Sequence, residues 1–238
     1  MSRALVVLSG GQDSTICLFK ALSENDHVEC VTFNYGQRHV HEVDAAVKVA
    51  QMAGVEAHEI IHVGKLLRSS SPLTSDNPLE TYIDFASMDQ IIGDRVELTF
   101  VPMRNAFFLT LAANLAISKN IHTVYTGVCE ADNANYPDCR AAFINAQEDA
   151  INQALGISDF RIMTPLIRLT KAESIELAKL MPGCMDALAY SHTCYAGEYP
   201  PCGKCHACVL RAEGFRQAGV DDPLIVRAQL EMLAGARA

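Results

Sequence analysis

The stretch Ser9-Gly10-Gly11-Gln12-Asp13-Ser14 joins an apolar run, residues 4–8, to a segment, residues 15–22, whose apolar positions recur at helical spacing. This pattern predicts a buried strand, a glycine turn and a helix. Two glycines permit close backbone approach, and the start of a helix offers unpaired N–H groups that favour an anion. No Gly-Lys-Ser/Thr follows, and the glycine spacing is not that of a dinucleotide-binding turn. The stretch therefore predicts a phosphate-binding turn of another kind, the alternative being an ordinary turn that contains two glycines.

The rest of the chain continues the alternation of strand and helix. Strands are predicted at residues 4–8, 28–33, 56–63, 121–126 and 160–164, with a short strand at 96–102, and helices at 40–52, 106–118, 141–155, 171–180 and 224–233. This order predicts an α/β fold with a doubly wound, mostly parallel sheet. Ligands bind beyond the carboxyl ends of such strands, so the loops after Leu8, Phe33, Val101 and Thr126 are expected to meet in one crevice.

Composition limits the classes of partner. The 238 residues are half hydrophobic, which suffices for one large domain with a small appendage. No apolar run approaches the ~20 residues of a membrane span, and no secretory signal is recognisable, so a cytoplasmic protein with no membrane contact is expected. The net charge of −9 favours small-molecule partners, with no stable nucleic-acid binding.

Four of the nine cysteines form a cluster with the spacing Cys194-x7-Cys202-x2-Cys205-x2-Cys208. Four thiolates satisfy one tetrahedral zinc ion, and a fully ligated ion would be structural. An iron–sulfur cluster is the rival, although its fourth cysteine normally follows closely and precedes proline; unliganded thiols are the third reading. His192 and His206 lie nearby as substitute ligands or, by preference, as exposed polar residues.

Several further motifs span nearly the whole chain: LSGGQDST at 8–15, NYGQRH at 34–39, VPxRN at 101–105, GV at 127–128, YPDCR at 136–140, TPL at 164–166, LTKAE at 169–173, TCY at 193–195 and CGKCxxCxLR at 202–211. Together they resemble the 7-cyano-7-deazaguanine synthase family of the PP-loop ATP pyrophosphatase superfamily, whose fold is of the adenine nucleotide alpha hydrolase type. One position departs from the family: Met103 stands where glycine is frequent.

The resemblance implies an ATP-dependent carbon–nitrogen ligase. ATP adenylates the carboxylate of 7-carboxy-7-deazaguanine, and ammonia displaces AMP to give an amide. A second activation, of the amide oxygen, then gives the nitrile of the queuosine precursor. The implied cofactors are ATP, Mg²⁺ and one structural Zn²⁺, and ammonia is taken free or from a partner. Homodimers are common in the family.

The resemblance also implies roles for residues. Catalysis is expected from Asp13, Ser14, Arg104 and Lys171, and nucleotide binding from Leu8, Ser9, Gly10, Gly11, Gln12, Asp13, Ser14, Thr15, Asn34, Tyr35, Arg38 and Gly127. The expected substrate residues are Tyr136, Asp138 and Arg140, where the carboxylate accepts from the guanine-like edge and the arginine pairs with the acid. Alternatively, Asp138 caps the following helix, Arg140 lies on the surface and Lys171 is solvated. Cys139 is expected to be a small buried residue, and Lys204 and Arg211 to serve the zinc region or the surface.

The expected organisation is a nucleotide-binding α/β domain, residues 1–183, with a small helical zinc-binding region, residues 184–238, packed on it. Residues 69–78 form either a lid or a surface excursion. The C-terminal helix is either a dimer surface or packs on its own domain. Two other functions compete: a tRNA-modifying PP-loop enzyme of the thiolating or lysidine synthetase type, and a non-catalytic regulator that binds zinc and nucleotide.

Overall fold

The computed structural model describes residues 1–36, 41–131 and 134–235. Its strands are β1 (Arg3–Val7), β2 (His27–Asn34), β3 (Ala57–His62), β4 (Thr123–Thr126) and β5 (Arg161–Met163). Its α-helices are α1 (Gln12–Glu24), α2 (His41–Ala53), α3 (Phe85–Ile92), α4 (Arg104–Ser118), α5 (Ala141–Leu155), α6 (Lys171–Lys179), α7 (Cys184–Leu188), α8 (His206–Gln217) and α9 (Pro223–Gly235). A short 3-10 helix, Pro137–Cys139, precedes α5.

The five strands form one parallel sheet in the order β3-β2-β1-β4-β5. The chain builds outward from β1 through β2 to β3, then crosses over to β4 and β5 on the other side. Val7, the last residue of β1, consequently pairs with Val31 on one side and with Thr126 on the other. The change of direction beside β1 is the point at which such sheets open a crevice at their carboxyl ends.

Helices cover both faces of the sheet, because successive strand residues point to opposite sides. Ala4, Val6 and Leu8 pack with α1 and α2 on one face. Leu5 and Val31 pack with α4 and α5 on the other, together with the buried Phe160. The prediction of a doubly wound parallel α/β fold is confirmed.

The last third of the chain packs on α1. Ile16 and Phe19 of α1 belong to the same buried cluster as Ile175, Leu188 and Phe215, which come from α6, α7 and α8. Helices α6, α7 and α8, which follow β5, thus share a core with the first helix of the chain. The proposed boundary between residues 183 and 184 stays a prediction.

The strand predicted at residues 96–102 is wrong. Glu97 and Thr99 are each about 1 % exposed, whereas Leu98 is 51 % exposed, so the polar side chains point inward. The backbone N–H of Phe100 donates to the Glu97 carbonyl at 3.1 Å, which closes a turn. Apolar and polar residues alternate in this segment as they do in a strand. Here, however, the segment forms a turn, and the polar residues are the buried ones because they form hydrogen bonds.

Two segments left open by the sequence are now placed. In the loop at residues 69–78, Ser71 and Leu73 are buried, and Ser71 Oγ donates to the Thr99 carbonyl at 2.9 Å. The loop therefore packs against the body of the protein. Helix α9 buries Leu224 and Ala228 against its own chain. It exposes five large apolar side chains: Ile225, Val226, Leu230, Met232 and Leu233. Within the described residues, no helix combines the length and the apolar character that crossing a membrane requires.

Candidate active site

A cavity of about 260 Å³ opens at the carboxyl ends of the central strands. The turn after β1, the residue after β2, the start of α4 and the loop after β4 all contribute to its wall. The predicted crevice is thus present. It also receives residues from the metal-cluster region, which the sequence did not place there.

The glycine turn after β1 supports itself through short-range hydrogen bonds. Ser14 Oγ accepts from the Ser9 N–H at 3.2 Å and donates to the Gly11 carbonyl at 3.1 Å. Thr15 Oγ1 donates to the same carbonyl at 2.8 Å. Gly10 has a φ of +87°, and a Cβ there would lie 2.3 Å from the Glu42 carbonyl oxygen, so glycine is required.

The turn also lies against the end of β4. A Cβ on Gly127 would lie 2.8 Å from the carbonyl group of Asp13, so the loop after β4 approaches the first turn of α1 closely. Gln12, Asp13 and Ser14 line the cavity beside it. The sequence therefore brings polar groups and a helix N-terminus to one side of the cavity, which suits phosphate.

Lys171 lies opposite the turn, at the first position of α6. Its Nζ lies 2.5 Å from Asp13 Oδ2, and its side chain is only 10 % exposed. A capping box formed by Thr170 and Glu173 fixes the start of the helix that carries it. The reading of Lys171 as a solvated lysine is wrong, because it forms an ion pair in the cavity with the aspartate of the turn.

Arg104, the first residue of α4, is half-buried in the cavity wall. Burial alone would lower the pKa of its guanidinium, but Tyr35, Tyr136 and Tyr195 together with Asp138 raise that pKa above its ordinary value. Tyr35 also hydrogen-bonds the guanidinium. The arginine therefore stays charged beside three phenol groups.

A buried network holds Tyr136. Its hydroxyl lies 2.5 Å from Thr99 Oγ1 and 3.3 Å from Glu97 Oε2, and the same carboxylate accepts from the Thr99 N–H at 2.7 Å. Thr99 Oγ1 also donates to Glu97. Burial raises the pKa of Tyr136 well above its ordinary value. The sequence did not predict that Glu97 supports the site. The signal that could have indicated it is an acidic residue within an otherwise mostly apolar run.

The remaining predicted ligand residues divide between the cavity wall and its support. Asp138 does not line the cavity: its Oδ2 accepts from the Asn105 N–H at 3.2 Å, so it caps α4 and not the helix that follows it. Arg140 lines the cavity and is exposed. The wall also contains Leu8, Ser9, Gly11, Tyr35, Tyr136 and Gly127, whereas Gly10, Thr15 and Asn34 do not line the cavity. Arg38 lies outside the described residues.

The four clustered cysteines come together as the spacing predicts. One sulfur from each of Cys194, Cys202, Cys205 and Cys208 lies within 4.8 Å of all the others. Cys202 Sγ and Cys208 Sγ are 3.9 Å apart, close to the ~3.8 Å expected for two sulfurs about 2.3 Å from a tetrahedral ion. The N–H groups of Tyr195 and Cys202 donate to cluster sulfurs at 3.4 Å. The donor set fits one metal ion.

This metal cluster is continuous with the cavity wall. His192 and His206, expected to be exposed, are 5 % and 3 % exposed and line the cavity. The His192 N–H donates to the Gly10 carbonyl at 2.8 Å, which ties the segment before Cys194 to the glycine turn. His192 and His206 are buried because they lie between the cysteine cluster and the cavity.

Arg211 belongs to the same wall and is 3 % exposed. Its guanidinium pairs with Asp222 through two contacts, at 2.6 and 2.8 Å, and donates to the hydroxyls of Ser191 and Thr193, each at 2.8 Å. Arg211 therefore lies near the cysteine cluster, as one of the two expectations had it, and the alternative of a surface residue is wrong. Arg211 anchors the segment that leads into the cysteine cluster.

A parallel sheet with a self-supporting glycine turn at its switch point, a helix N-terminus and a lysine facing that turn define a phosphate-binding α/β protein. A solved 4-thiouridine synthetase–RNA complex with bound ATP shares this fold, with a TM-score of 0.51 and 16 % identity over 96 % of this chain and 53 % of that one.

Sequence comparison identifies the family. The family described as "Queuosine biosynthesis protein QueC" matches residues 3–219, and this chain belongs to it. Curated relatives named 7-cyano-7-deazaguanine synthase are similar along almost their full length. The relative from Gloeobacter violaceus is 49 % identical over 94 % of this chain and 96 % of its own, and that from Laribacter hongkongensis is 47 % identical over 94 % of each.

Proposed function

We propose that this protein makes 7-cyano-7-deazaguanine from 7-carboxy-7-deazaguanine, ammonia and ATP, with adenylated carboxylate and adenylated amide intermediates. The observation that carries the proposal is the joining of two kinds of wall in one cavity. The glycine turn with Lys171 suits phosphate, and the opposite wall with Arg104 and its tyrosines suits a planar acid. Membership of the family, with relatives named for this product, supports the same reaction.

The residues act by position and charge. The first turn of α1 and the hydroxyl of Ser14 would hold the phosphates of ATP, and Lys171 would stabilise charge that develops on them. A carboxylate or amide oxygen leaves poorly, and transfer of AMP to it creates a better leaving group. The buried walls would exclude water from the adenylated intermediate, so that ammonia reacts in its place. We find no nucleophile–base pair in the described wall that would favour a covalent enzyme route.

Two metal ions are part of the proposal. Mg²⁺ takes oxygen ligands, and the carboxylates of Asp13, Glu42 and Glu130 line the cavity; when bound with ATP, it neutralises phosphate charge. Zn²⁺ fits the closed set of four cysteine sulfurs and would join the segments around residues 192–195 and 202–208. Its proposed role is structural.

A PP-loop enzyme that modifies tRNA is the competing function. The shared fold with the 4-thiouridine synthetase is compatible with it, but such an enzyme needs a basic surface for the phosphate backbone. With a net charge of −9, this chain is better suited to small molecules. We therefore propose no stable nucleic-acid binding. We also propose a cytoplasmic location and a two-part organisation divided near residue 183.

A homodimer is the proposed assembly. The exposed side chains of Leu230, Met232 and Leu233 on α9 offer an apolar surface to a second copy. Light scattering coupled to size-exclusion chromatography measures the assembly directly, and the mass of a single chain across the accessible concentration range would contradict it.

The reaction is tested with purified protein, ATP, Mg²⁺, ammonium and 7-carboxy-7-deazaguanine. Mass spectrometry is expected to detect AMP, pyrophosphate and the nitrile, with the amide as a transient species. Asp13→Ala should lower turnover on the order of 100-fold or more, because it removes a charged group beside the phosphate site. Absence of AMP and nitrile with the intact protein overturns the proposal, and tRNA-dependent ATP turnover supports the competing one.

A further inference from the structure

Arg104 and Arg211, which both line the cavity, differ in their partners. Arg211 has a bidentate ion pair with Asp222 and two hydroxyl partners. Arg104 is half-buried, and among the described residues no carboxylate lies within salt-bridge distance of its guanidinium. Removing an arginine from water without an ion-pair partner is costly. A charge held in this way at a cavity wall is suited to an anion that arrives with a ligand.

The groups around Arg104 do not neutralise it. Burial raises the pKa of Tyr35 and of Tyr136, so both phenols are uncharged at neutral pH. Asp138 is close enough to interact with the guanidinium, but its Oδ2 accepts from the Asn105 N–H. The positive charge is thus surrounded mostly by neutral aromatic groups, where an ion pair is stronger than in water.

The same surroundings are flat and apolar. Phe108 stacks on Phe33 with ring centres 4.6 Å apart and an interplanar angle of 14°, and its ring lies 5.3 Å from that of Tyr35. On another part of the wall, Tyr136 packs against Phe100 at 5.4 Å. Aromatic walls of this kind suit a planar heteroaromatic ring that carries the anion.

We infer that Arg104 binds the carboxylate of the planar acid and that the tyrosine and phenylalanine side chains around it hold the ring. This inference rests on the proposed function and changes the role expected of Arg140. Arg140 is exposed at the cavity, so solvent and salt weaken its attraction for an anion. A phosphate of ATP is the other anion available, but the glycine turn, α1 and Lys171 already provide a phosphate site.

Binding measurements separate these anions. Isothermal titration calorimetry uses three ligands: 7-carboxy-7-deazaguanine, 7-deazaguanine without the carboxylate, and Mg-ATP. Arg104→Gln is expected to weaken binding of the acid by roughly 30- to 150-fold, the range for a charge-assisted hydrogen-bonded pair. Binding of the neutral analogue and of Mg-ATP should change by less than about 3-fold.

Three further variants complete the test. Arg140→Gln should weaken binding of the acid by less than about 5-fold, as expected for an exposed charge. Arg216→Gln makes the same chemical change at an exposed, remote arginine and controls for net charge. Arg104→Lys keeps the charge without the planar fork and should lose about 10-fold for the acid alone; it decides the question should Arg104→Gln fail to fold.

The outcomes distinguish this inference from the proposed function. Equal losses for the acid and its neutral analogue, a larger loss for Mg-ATP, or a greater effect of Arg140→Gln would overturn the assignment of Arg104. In each case the intact protein would still bind the acid and form AMP. If the intact protein does neither, the proposed function fails, and the inference fails with it.

Discussion

The two walls of the cavity are built in opposite ways. The wall proposed to hold phosphate, the phosphate wall, comes mostly from one continuous segment, residues 9–15. Within it, Ser14 and Thr15 donate to the Gly11 carbonyl, and Ser14 Oγ accepts from the Ser9 N–H. The wall proposed to bind the acid, the acid-binding wall, combines α4, the loop after β4 and the metal-cluster region. The first wall depends on local backbone geometry, and the second depends on distant segments being held together. Substitutions should therefore damage the two walls through different physical causes.

The largest effect is expected at the metal cluster. Cys205→Ser removes one of four sulfurs and the acceptor of the Tyr195 N–H. Since binding energy for a structural metal contributes directly to folding, we expect a loss of several kcal/mol, on the order of 5, in unfolding free energy. Elemental analysis should show less than one metal ion per chain, together with a lower thermal midpoint. Cys30→Ala, in the sheet, should keep its metal; full occupancy in Cys205→Ser would remove this residue from the ligand set.

A smaller loss is expected in the phosphate wall from Gly10→Ala. The added Cβ would meet the Glu42 carbonyl oxygen at 2.3 Å and the Ala46 nitrogen at 2.7 Å, at a φ of +87°. Backbone strain and overpacking together should cost about 3 kcal/mol, with no loss of metal. Denaturant unfolding measures the change. Gly11→Ala is the matched control, because Gly11 has a φ of −79° and the nearest contact of an added Cβ would be 3.4 Å away. Equal losses would show that strain and overlap at Gly10 are not the cause.

A further loss of stability is expected at Glu97, which supports the acid-binding wall without lining the cavity. Glu97→Ala leaves the Thr99 N–H and two hydroxyl groups without their acceptor, and should cost about 2–4 kcal/mol. Glu97→Gln keeps an acceptor oxygen and should lose less than half as much. Chemical denaturation gives both values. If the glutamine variant is as unstable as the alanine variant, the negative charge matters more than the hydrogen bonds.

The smallest effect concerns the support of the phosphate wall and depends on pH. His58 bonds Thr32 Oγ1 at 2.8 Å, and Thr32 Oγ1 donates to the Leu8 carbonyl at 2.5 Å. Burial lowers the pKa of His58, so the unfolded chain binds more protons below the ordinary histidine pKa of about 6.5. Stability should consequently fall as the pH decreases below that value. His58→Gln should show a shallower fall between pH 7 and 5.5 in thermal unfolding, and an unchanged slope would exclude His58 as a contributor.

The sequence alone predicted the phosphate wall far better than the acid-binding wall. The glycine turn, the strand before it and the helix after it are adjacent in the chain, so propensity and spacing were enough to predict them. The cysteine spacing likewise predicted the metal cluster. The wall around Arg104 could not be predicted in the same way, because the contacts of Asp138 with Asn105 and of Tyr136 with Thr99 span more than thirty residues.

The errors have a common cause. The run at residues 96–102 alternates like a strand, yet it buries Glu97 and Thr99 because Tyr136 lies opposite them. His192 and His206 have polar side chains that favour exposure, yet they are buried between the cysteine cluster and the cavity. Lys171 pairs with a residue that precedes it by 158 positions. In each case a tertiary partner reverses the preference of the local sequence.

The placement of the tyrosines gives the protein an optical property. The chain has no tryptophan and seven tyrosines, so its intrinsic ultraviolet emission comes from tyrosine. Three of the seven, Tyr35, Tyr136 and Tyr195, line the cavity. A ligand that enters this wall changes the surroundings of nearly half of the emitting groups at once. Occupancy of the site is therefore accessible in the unlabelled protein by fluorescence lifetime.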